Sequence, residues 1–547
     1  MSSPPATMAA VLRRLPARVA VATALVLLAV GCSDPEPTAV TRDGSADTTG
    51  TTYTADGPTT TTAGDAPAPS GEDIGPDQPA DFATLSSWEP CAGSFECATL
   101  TVPRDWADPE GDTLEIAVTR HPAEGERIGS LLLNPGGPGA SGVDFVQTFV
   151  GRALPDGLDQ RFDIVSWDPR GTGGSNRIDC TTDEQWLEPE IDPTIEDDAD
   201  VEAIRAEAAE AVAACEEEAG DLLDVVGTRA TVRDLDALRG VLGDEALTYV
   251  GYSYGTTIGM EYLRMYPDRV RAMVLDGVTA PGVEPVVDAH VQAQGFERTL
   301  DAYLADCANR ASCPLGADPK TALLDLVDRL EAERIPASYQ LGESAAPRRG
   351  DLGVGELYIA VAASLYDDAA WPVLDQGLTE ALADEPQGRT LLAIRDQYLG
   401  RAADGTWVDD SDARGTIRCA DQVDRSAEPE GDRTLAEDWA AELPFWGAWF
   451  GTGIPGCWGA PEAVDPLLPL ADGDLTGVPP VVVIGTTNDP ATPYEQAEDA
   501  AGVIEGSVLV TYEGDVHTAY RSLSDCVDDA ATAYLVDLTV PEAGLRC

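Results

Sequence analysis

Short apolar segments alternate along the chain with stretches in which apolar residues have helical spacing. Three of these segments run into turn-forming, glycine-containing stretches, and three more follow later. In order they are IGSLLLNPGGPGASG (128–142), RFDIVSWDPRGTGGS (161–175), ALTYVGYSYGTT (246–257), RVRAMVLDGV (269–278), VPPVVVIGTTNDP (478–490) and GSVLVTYEGDVH (506–517). Short, β-branched strands that alternate with helices are typical of parallel sheets. The pattern therefore predicts an α/β fold with a mostly parallel sheet.

The strand pattern lapses between about residues 285 and 470. Helix-like runs dominate there, such as DAHVQAQGFERTLDAYLADCANR and TALLDLVDRLEAERI. A chain of 547 residues is also too long for one compact domain. We therefore expect a sheet-containing core in two parts, 81–284 and 471–547, with a mainly helical lid inserted at 285–470.

The N-terminus has the pattern of an export signal over residues 1–31. Three arginines precede an apolar run at 19–30, which is too short to span a bilayer well. Small residues then precede Cys32, as in a bacterial lipobox, so we expect Cys32 to be lipidated at the start of the mature protein. The alternative is ordinary secretion with cleavage nearby. Either route predicts an exported protein, held at the cell surface if the lipid is attached.

Residues 32–80 are rich in threonine, aspartate, proline and glycine. Such a composition cannot bury enough apolar surface to fold. We expect a disordered tether that holds the folded part away from the membrane.

Acidic side chains outnumber basic ones by 97 to 34, which gives a formal net charge of −63. This balance argues against binding of nucleic acid or of an anionic membrane through a basic face. A lipid on Cys32 is the only membrane contact that we expect. The acidic excess is interpreted as a well-solvated surface, and the alternative is adaptation to salt, where screening relieves self-repulsion.

The cysteine count also favours export. There are 11 cysteines, and ten remain once Cys32 is set aside. An even number in an oxidising compartment predicts five disulfides. The pairs that we expect are Cys91–Cys97, Cys180–Cys215, Cys307–Cys313, Cys419–Cys457 and Cys526–Cys547. No CxxC pair is present and there are three histidines, so we expect neither a metal site nor another cofactor.

One motif suggests covalent catalysis. Gly251-Tyr252-Ser253-Tyr254-Gly255 has the spacing G-x-S-x-G between a predicted strand and a predicted helix. This context places a serine on a tight turn with its hydroxyl exposed, beside the positive end of a helix. We interpret Ser253 as a nucleophile rather than as a residue of an ordinary glycine-rich turn.

A serine nucleophile needs a base and a carboxylate that orients the base. His517 lies in a loop after the last predicted strand, whereas His121 and His290 fit packed or surface positions better. Asp489 follows a strand and precedes His517, and Asp515 is the rival carboxylate. The order serine, aspartate, histidine favours Asp489.

The loop NPGGPGASG (134–142) is the candidate oxyanion hole. Its glycines allow backbone N–H groups to approach a substrate closely. We expect donors from Gly137, with Gly136 as its neighbour, and from Tyr254, which follows the nucleophile. A phosphate-binding loop is the alternative, but the lysine and the GK[ST] ending of such loops are missing.

Taken together, NPGGPGASG, WDPRGTGGS, DLDALRGVLGDEALTYVGYSYGT, LDGV, NDPATP and the late His517 resemble the secreted actinobacterial tripeptidyl aminopeptidases. These are α/β-hydrolases related to prolyl aminopeptidases, and the resemblance covers about 85–547. It implies an α/β-hydrolase fold with a lid over the active site, a Ser253–His517–Asp489 triad, and exopeptidase activity on peptides with free N-termini. The chain departs from the family at Val516, where glycine is usual, and at Ala280, where an acid is common.

Binding a free N-terminus requires a carboxylate for the ammonium group. Asp421, beside Cys419 in IRCADQ, is the candidate that we name from the sequence. Two other functions stay open: an esterase or lipase-like hydrolase of small esters on the same fold, and a non-catalytic binding lipoprotein. The triad and the oxyanion hole serve peptides and esters alike, so the lid must decide between them.

Overall fold

The computed structural model describes residues 75–547 except 191, 194, 196, 343–344, 409, 423–428 and 472. The predicted signal peptide, Cys32 and the tether up to residue 74 lie outside the described residues. The last residues of the predicted tether are packed on the fold, because Arg269 donates a hydrogen bond to the carbonyl oxygen of Asp77 and a 3-10 helix spans Pro79–Phe82. The folded part therefore begins a few residues before position 81.

The described residues form twelve strands. They are β1 (Thr84–Leu85), β2 (Glu89–Ala92), β3 (Phe95–Pro103), β4 (Thr113–His121), β5 (Gly129–Asn134), β6 (Phe162–Trp167), β7 (Leu247–Tyr252), β8 (Val270–Asp276), β9 (Ile335–Tyr339), β10 (Arg348–Leu352), β11 (Val481–Thr486) and β12 (Val508–Tyr512). Ten of them make one sheet in the order β1-β3-β4-β6-β5-β7-β8-β11-β12, with β2 paired to β3. In this sheet β5, β6, β7, β8, β11 and β12 run parallel to one another. The strands β1 to β4 pair antiparallel with their neighbours.

The helices of the described residues connect and cover these strands. They are α1 (Gly142–Phe149), α2 (Asp198–Ala219), α3 (Thr228–Val241), α4 (Tyr254–Met265), α5 (Pro285–Asn309), α6 (Pro319–Ala332), α7 (Val354–Leu365), α8 (Trp371–Ala381), α9 (Arg389–Tyr398), α10 (Ser411–Asp421), α11 (Pro429–Glu442), α12 (Trp446–Thr452), α13 (Tyr494–Val503) and α14 (Asp525–Asp537).

The central strands β5, β6, β7 and β11 are mostly apolar and are buried along their whole length, because both faces of the sheet are covered. In β11, Val481 and Val483 join one core cluster, which α3 and α4 also supply. Val482 and Ile484 join the other cluster, together with residues of α1 and α14. Successive side chains of a strand point to opposite faces, so one strand supplies both cores. The predicted α/β sheet is confirmed on all six apolar segments.

The region 285–470 forms a lid with its own apolar core, built from residues of α5 to α9 and α12. The lid is mainly helical, as expected, but it also contains the antiparallel pair β9 and β10. Helix α2, which belongs to the predicted core segment 81–284, packs on the lid through the buried ion pair Arg205–Asp432 at 2.6 Å.

The five expected cysteine pairs are the disulfides of the structure: Cys91–Cys97, Cys180–Cys215, Cys307–Cys313, Cys419–Cys457 and Cys526–Cys547. Among the residues that the structure describes, no helix combines the length and apolar character that crossing a bilayer requires.

Candidate active site

Ser253 lies on the sharp turn that joins β7 to α4. Its backbone has φ 53° and ψ −128°, a strained combination for a residue with a side chain. The turn is tight because a Cβ on Gly251 would lie 2.3 Å from the carbonyl oxygen of Gly255. The Ser253 N–H donates to the carbonyl oxygen of Asp276 at 2.9 Å, which fixes the turn to β8. This geometry is that of a nucleophile elbow.

His517 and Asp489 meet in the loops that follow β12 and β11. The distances from His517 Nδ1 to the two carboxylate oxygens of Asp489 are 2.9 and 3.0 Å, and both side chains are buried. Asp515, the rival carboxylate, instead accepts a hydrogen bond from the Asn488 side chain at 2.5 Å. The structure therefore brings His517 together with Asp489.

The turn after Asp489 holds its carboxylate from several sides. Asp489 Oδ1 accepts hydrogen bonds from the N–H groups of Ala491 and Thr492 at 2.9 and 2.8 Å. The Thr492 hydroxyl donates to Oδ2 at 2.9 Å and lies 3.2 Å from His517 Nδ1. Sequence reasoning missed Thr492, although NDPATP contains it, because its role depends on the fold of this turn.

A second carboxyl, Asp276 at the end of β8, lies near the pair and was also missed. It is buried, and its Oδ2 accepts the N–H groups of Ala519 and Tyr520 at 2.9 and 2.7 Å. Among the described residues its Oδ1 has no hydrogen-bond partner. Burial raises the pKa of Asp276 to about 7, against the lowering effect of these N–H donors and of the nearby His517.

The glycine-rich loop after β5 packs against the elbow. Gly137 and Tyr254 border the same cavity as Ser253. The N–H of Gly136 donates to Asn134 Oδ1 at 3.0 Å, so it has a partner within the loop. The N–H of Tyr254 is in the first turn of α4, where no intrahelical acceptor exists. The arrangement therefore favours Gly137 and Tyr254 over Gly136 as oxyanion donors.

The cavity over Ser253 and His517 has a volume of about 560 Å³ and is roofed by the lid. Aromatic side chains form much of the roof: Phe296, Tyr366, Tyr398, Trp446, Trp449 and Phe450. The backbone N–H of His517 donates to the carbonyl oxygen of Tyr366 at 2.9 Å, and the two rings meet edge to face with centroids 5.3 Å apart. The lid therefore contacts the catalytic loop directly.

The structure corrects the expectation for Asp421. Its Oδ1 accepts the N–H of Thr228 at 2.7 Å, and its Oδ2 accepts the Thr228 hydroxyl at 2.6 Å. The same hydroxyl contacts the hydroxyl of Tyr254. Asp421 is not among the residues that border the cavity. Because both of its oxygens are engaged, it links the lid helix α10 to α3 and α4 and does not face a substrate.

Four charged side chains of the lid do border the cavity, and the sequence pattern indicated none of them. They are Asp288 on α5, Asp410 just before α10, and Arg414 and Arg418 on α10. Burial raises the pKa of Asp288, and the charge of Arg418 and a hydrogen bond from Gln496 oppose this shift. The cavity thus offers carboxylates and guanidinium groups close to the candidate nucleophile.

The remaining histidines have structural surroundings. His121 meets Phe95 edge to face, and His290 pairs with Glu442 at 3.1 Å and packs on Trp439. In the described part of the chain, one group has the spacing of a metal site: Cys180, Cys215 and Asp412. Its two sulfurs form a disulfide, so they provide no thiolate ligands.

Comparisons with known proteins agree with this fold and geometry. A family model described as alpha/beta hydrolase fold matches residues 129–520. The chain is 37% identical over 484 residues to the serine protease Hip1 of Mycobacterium tuberculosis, covering 84% of this chain and 90% of that protein. It is 34% identical to a carboxylesterase B of the same species, covering 82% and 86%. It is 31% identical to the tripeptidyl aminopeptidase of Streptomyces lividans, covering 82% and 84%.

The expected resemblance is thus confirmed at the level of the family. The matches extend over the sheet, the lid and the catalytic loops, rather than over the elbow motif alone. This chain belongs to the α/β-hydrolase family, in the group of these actinobacterial serine peptidases, and is a serine hydrolase.

Proposed function

We propose that this protein is an exported serine exopeptidase that releases short peptides, tripeptides in particular, from free N-termini. The observation that carries the proposal is that the elbow serine and His517 border one cavity roofed by the lid, while buried Asp489 contacts Nδ1 of His517. Its volume of about 560 Å³ lies within the range of roughly 300–1,000 Å³ that suits small ligands. Such a space accepts the end of a chain better than a folded substrate.

In the proposed reaction, Ser253 Oγ attacks the carbonyl carbon of the scissile bond while His517 accepts the serine proton. Asp489 holds the imidazole in the tautomer with hydrogen on Nδ1 and stabilises its cation. The N–H groups of Gly137 and Tyr254 stabilise the oxyanion, and one such donor is worth roughly 100- to 1,000-fold in rate. His517 then protonates the leaving amine, and water hydrolyses the acyl-enzyme.

Recognition of the free N-terminus needs a carboxylate inside the cavity, and Asp288 supports this role better than Asp421. Asp288 borders the cavity, and its carboxylate accepts a long hydrogen bond of 3.3 Å from the Gln496 side chain. In a buried position, a charge-assisted hydrogen bond from a substrate ammonium would stabilise the ionised form of this carboxylate.

The proposed location is the cell surface, with a lipid on Cys32 and the segment 33–74 as a spacer. The five disulfides support an oxidising compartment. Metabolic labelling with a palmitate analogue tests the anchor. We expect label on the wild-type protein and none on Cys32→Ser, and an unlabelled, freely secreted wild type would contradict the anchor.

A small-ester hydrolase is the second candidate, because a relative at 34% identity is named carboxylesterase B. The binding-lipoprotein alternative is set aside, since the family assignment makes the chain a serine hydrolase.

The deciding experiment compares three substrates: a fluorogenic tripeptide with a free N-terminus, its N-acetylated form, and a short-chain nitrophenyl ester. Wild type, Ser253→Ala and Asp288→Asn are measured in parallel. We expect wild type to cleave the free-amine peptide and to lose most of this activity on acetylation. Ser253→Ala should be inactive on every substrate. Asp288→Asn should raise KM for the free-amine peptide more than for the ester.

Other outcomes would change the conclusion. Ester turnover without peptide turnover would favour the esterase. Equal cleavage of the free and acetylated peptides would contradict recognition of the N-terminus and indicate an endopeptidase.

A further inference from the structure

Helix α10 presents two guanidinium groups to the catalytic cavity. Arg414 and Arg418 are one helical turn apart and both border the cavity. Like charges at this spacing destabilise a helix slightly, so an anion bound close to both would be favourable. The chain has 34 basic residues among 547, which makes a pair on one cavity wall unusual for this protein.

In the described part of the chain, Arg418 has a charged neighbour but no ion pair. Asp288 is close enough for the two charges to influence each other, yet among the described residues no carboxylate lies within 4.0 Å of the Arg418 guanidinium. The Asp288 carboxylate instead accepts a hydrogen bond from the Gln496 side chain of α13 at 3.3 Å. Arg418 is exposed where it borders the cavity, so a ligand can reach its guanidinium. A guanidinium with five donors that borders a cavity fits an anionic ligand.

The start of α10 locates these side chains relative to the reaction centre. A Cβ on Gly139, in the oxyanion loop, would lie 2.9 Å from the backbone nitrogen of Arg414. The charge of Arg414 also acts on Tyr366, whose ring contacts His517. Arg418 follows four residues later on the same helix, a rise of about 6 Å, and borders the same cavity.

We propose that Arg418, assisted by Arg414, binds a carboxylate of the substrate in the cavity over Ser253 and His517. This inference rests on the proposed function, and it defines the preferred substrates as short peptides that carry both a free amine and a nearby carboxylate. Asp288 and Arg418 then form the two poles of the cavity, one for the ammonium and one for the carboxylate. The carboxylate comes either from an acidic side chain or from the C-terminus of a short peptide.

The test separates these two sources. One set of free-amine tripeptide coumarin amides carries glutamate or glutamine at each position in turn. The other set is a tetra-alanine peptide with a free or an amidated C-terminus, whose cleavage is followed by chromatography. The variants are Arg418→Gln, which loses the charge, and Arg418→Lys, which keeps the charge but not the planar fork. Arg349→Gln, at an exposed arginine of β10 outside the cavity lining, is the matched control.

We expect wild type to prefer the charged member of at least one pair by about tenfold or more in kcat/KM, as for charge-assisted hydrogen bonds. Arg418→Gln should bring that ratio close to one, Arg418→Lys should keep part of it, and Arg349→Gln should match wild type. A preference in the glutamate series identifies a side chain as the source, and a preference in the tetra-alanine pair identifies the C-terminus. Absence of any preference, or a preference that survives Arg418→Gln, would overturn the proposal.

A pair of nitrophenyl esters keeps this result separate from the peptidase activity. Their acyl chains end either in a carboxylate or in its methyl ester. If wild type cleaves no free-amine peptide, the proposed exopeptidase fails, and the ester pair alone decides whether Arg418 binds a carboxylate. Serine-dependent turnover of the neutral ester also shows that a variant has folded.

Discussion

At the scale of single residues, the proposed catalytic pair of His517 and Asp489 depends on how firmly Asp489 is held. Three hydrogen bonds from Ala491 and Thr492 fix both of its oxygens before His517 is considered. A carboxylate fixed in this way keeps the proton of the neutral imidazole on Nδ1, so Nε2 is the nitrogen that can accept a proton. The sequence position after a strand was enough to choose Asp489, but the supporting hydrogen bonds depend on a turn that only the structure describes.

Asp276 leads to a pH prediction at the same scale. Its folded-state pKa of about 7 lies above the ordinary value of 3.8, because burial disfavours the charged carboxylate. Between about pH 4 and 7 the folded chain therefore binds more protons at this position than the unfolded chain. The contribution of Asp276 to stability is present below its unfolded pKa and declines as the pH rises to about 7. Asp276→Asn removes this titration and keeps an oxygen acceptor for the N–H groups of Ala519 and Tyr520.

The measurement is the thermal midpoint of wild type and Asp276→Asn from pH 4 to 8. We expect the difference, variant minus wild type, to become more positive as the pH rises from 4 to 7 and then to level off. The comparison cancels the titration of the many surface acids. A difference that is constant over this range would show that Asp276 has no raised pKa.

At the scale of elements, the oxyanion loop and the elbow fit together through a glycine. Gly136 has φ +98°, and a Cβ there would lie 2.5 Å from the carbonyl oxygen of Tyr252 and 2.9 Å from the Cβ of Ser253. We expect Gly136→Ala to displace the loop from the nucleophile and to lower kcat by roughly 10-fold or more, in the range of an oxyanion defect. Activity on the nitrophenyl ester and the thermal midpoint are measured together.

Gly157 provides the control for backbone strain. It has φ +88°, and a Cβ there has nothing within 4 Å. Gly157→Ala should therefore lose stability, by about 1 kcal/mol, without losing kcat. Equal losses of kcat in the two variants would show that general strain, and not the contact with the elbow, is responsible.

The sequence predicted some elements far better than others, for a physical reason. Strands buried on both faces, such as β5, β7 and β11, are continuous apolar runs that stand out in any window. In the lid pair, β9 is five residues long and alternates buried with exposed positions inside a helical region, so its pattern is weak. Arg418 and Asp288 are 130 positions apart and border the same cavity, and no local spacing in the sequence indicates that they do. Asp421 is the opposite case. The sequence suggested a carboxylate that binds the substrate amine, whereas in the fold this carboxylate accepts a hydrogen bond from the Thr228 hydroxyl.

At the scale of the whole molecule, the net charge of −63 opposes compaction through self-repulsion. Buried pairs such as Arg170–Asp234 are shielded from solvent ions, so added salt acts mainly on the surface. The Debye length falls from about 30 Å at 0.01 M to about 8 Å at 0.15 M and 3 Å at 1 M. An ordinary solvated surface therefore predicts that the thermal midpoint rises with NaCl and reaches most of its gain below about 0.3 M.

A salt-adapted surface instead predicts that the thermal midpoint continues to rise up to molar salt and that activity is lost near 0.01 M. Thermal midpoints and ester turnover over this series distinguish the two, with sucrose as an uncharged control. A midpoint that does not depend on NaCl would show that the acidic surface has no measurable cost to stability.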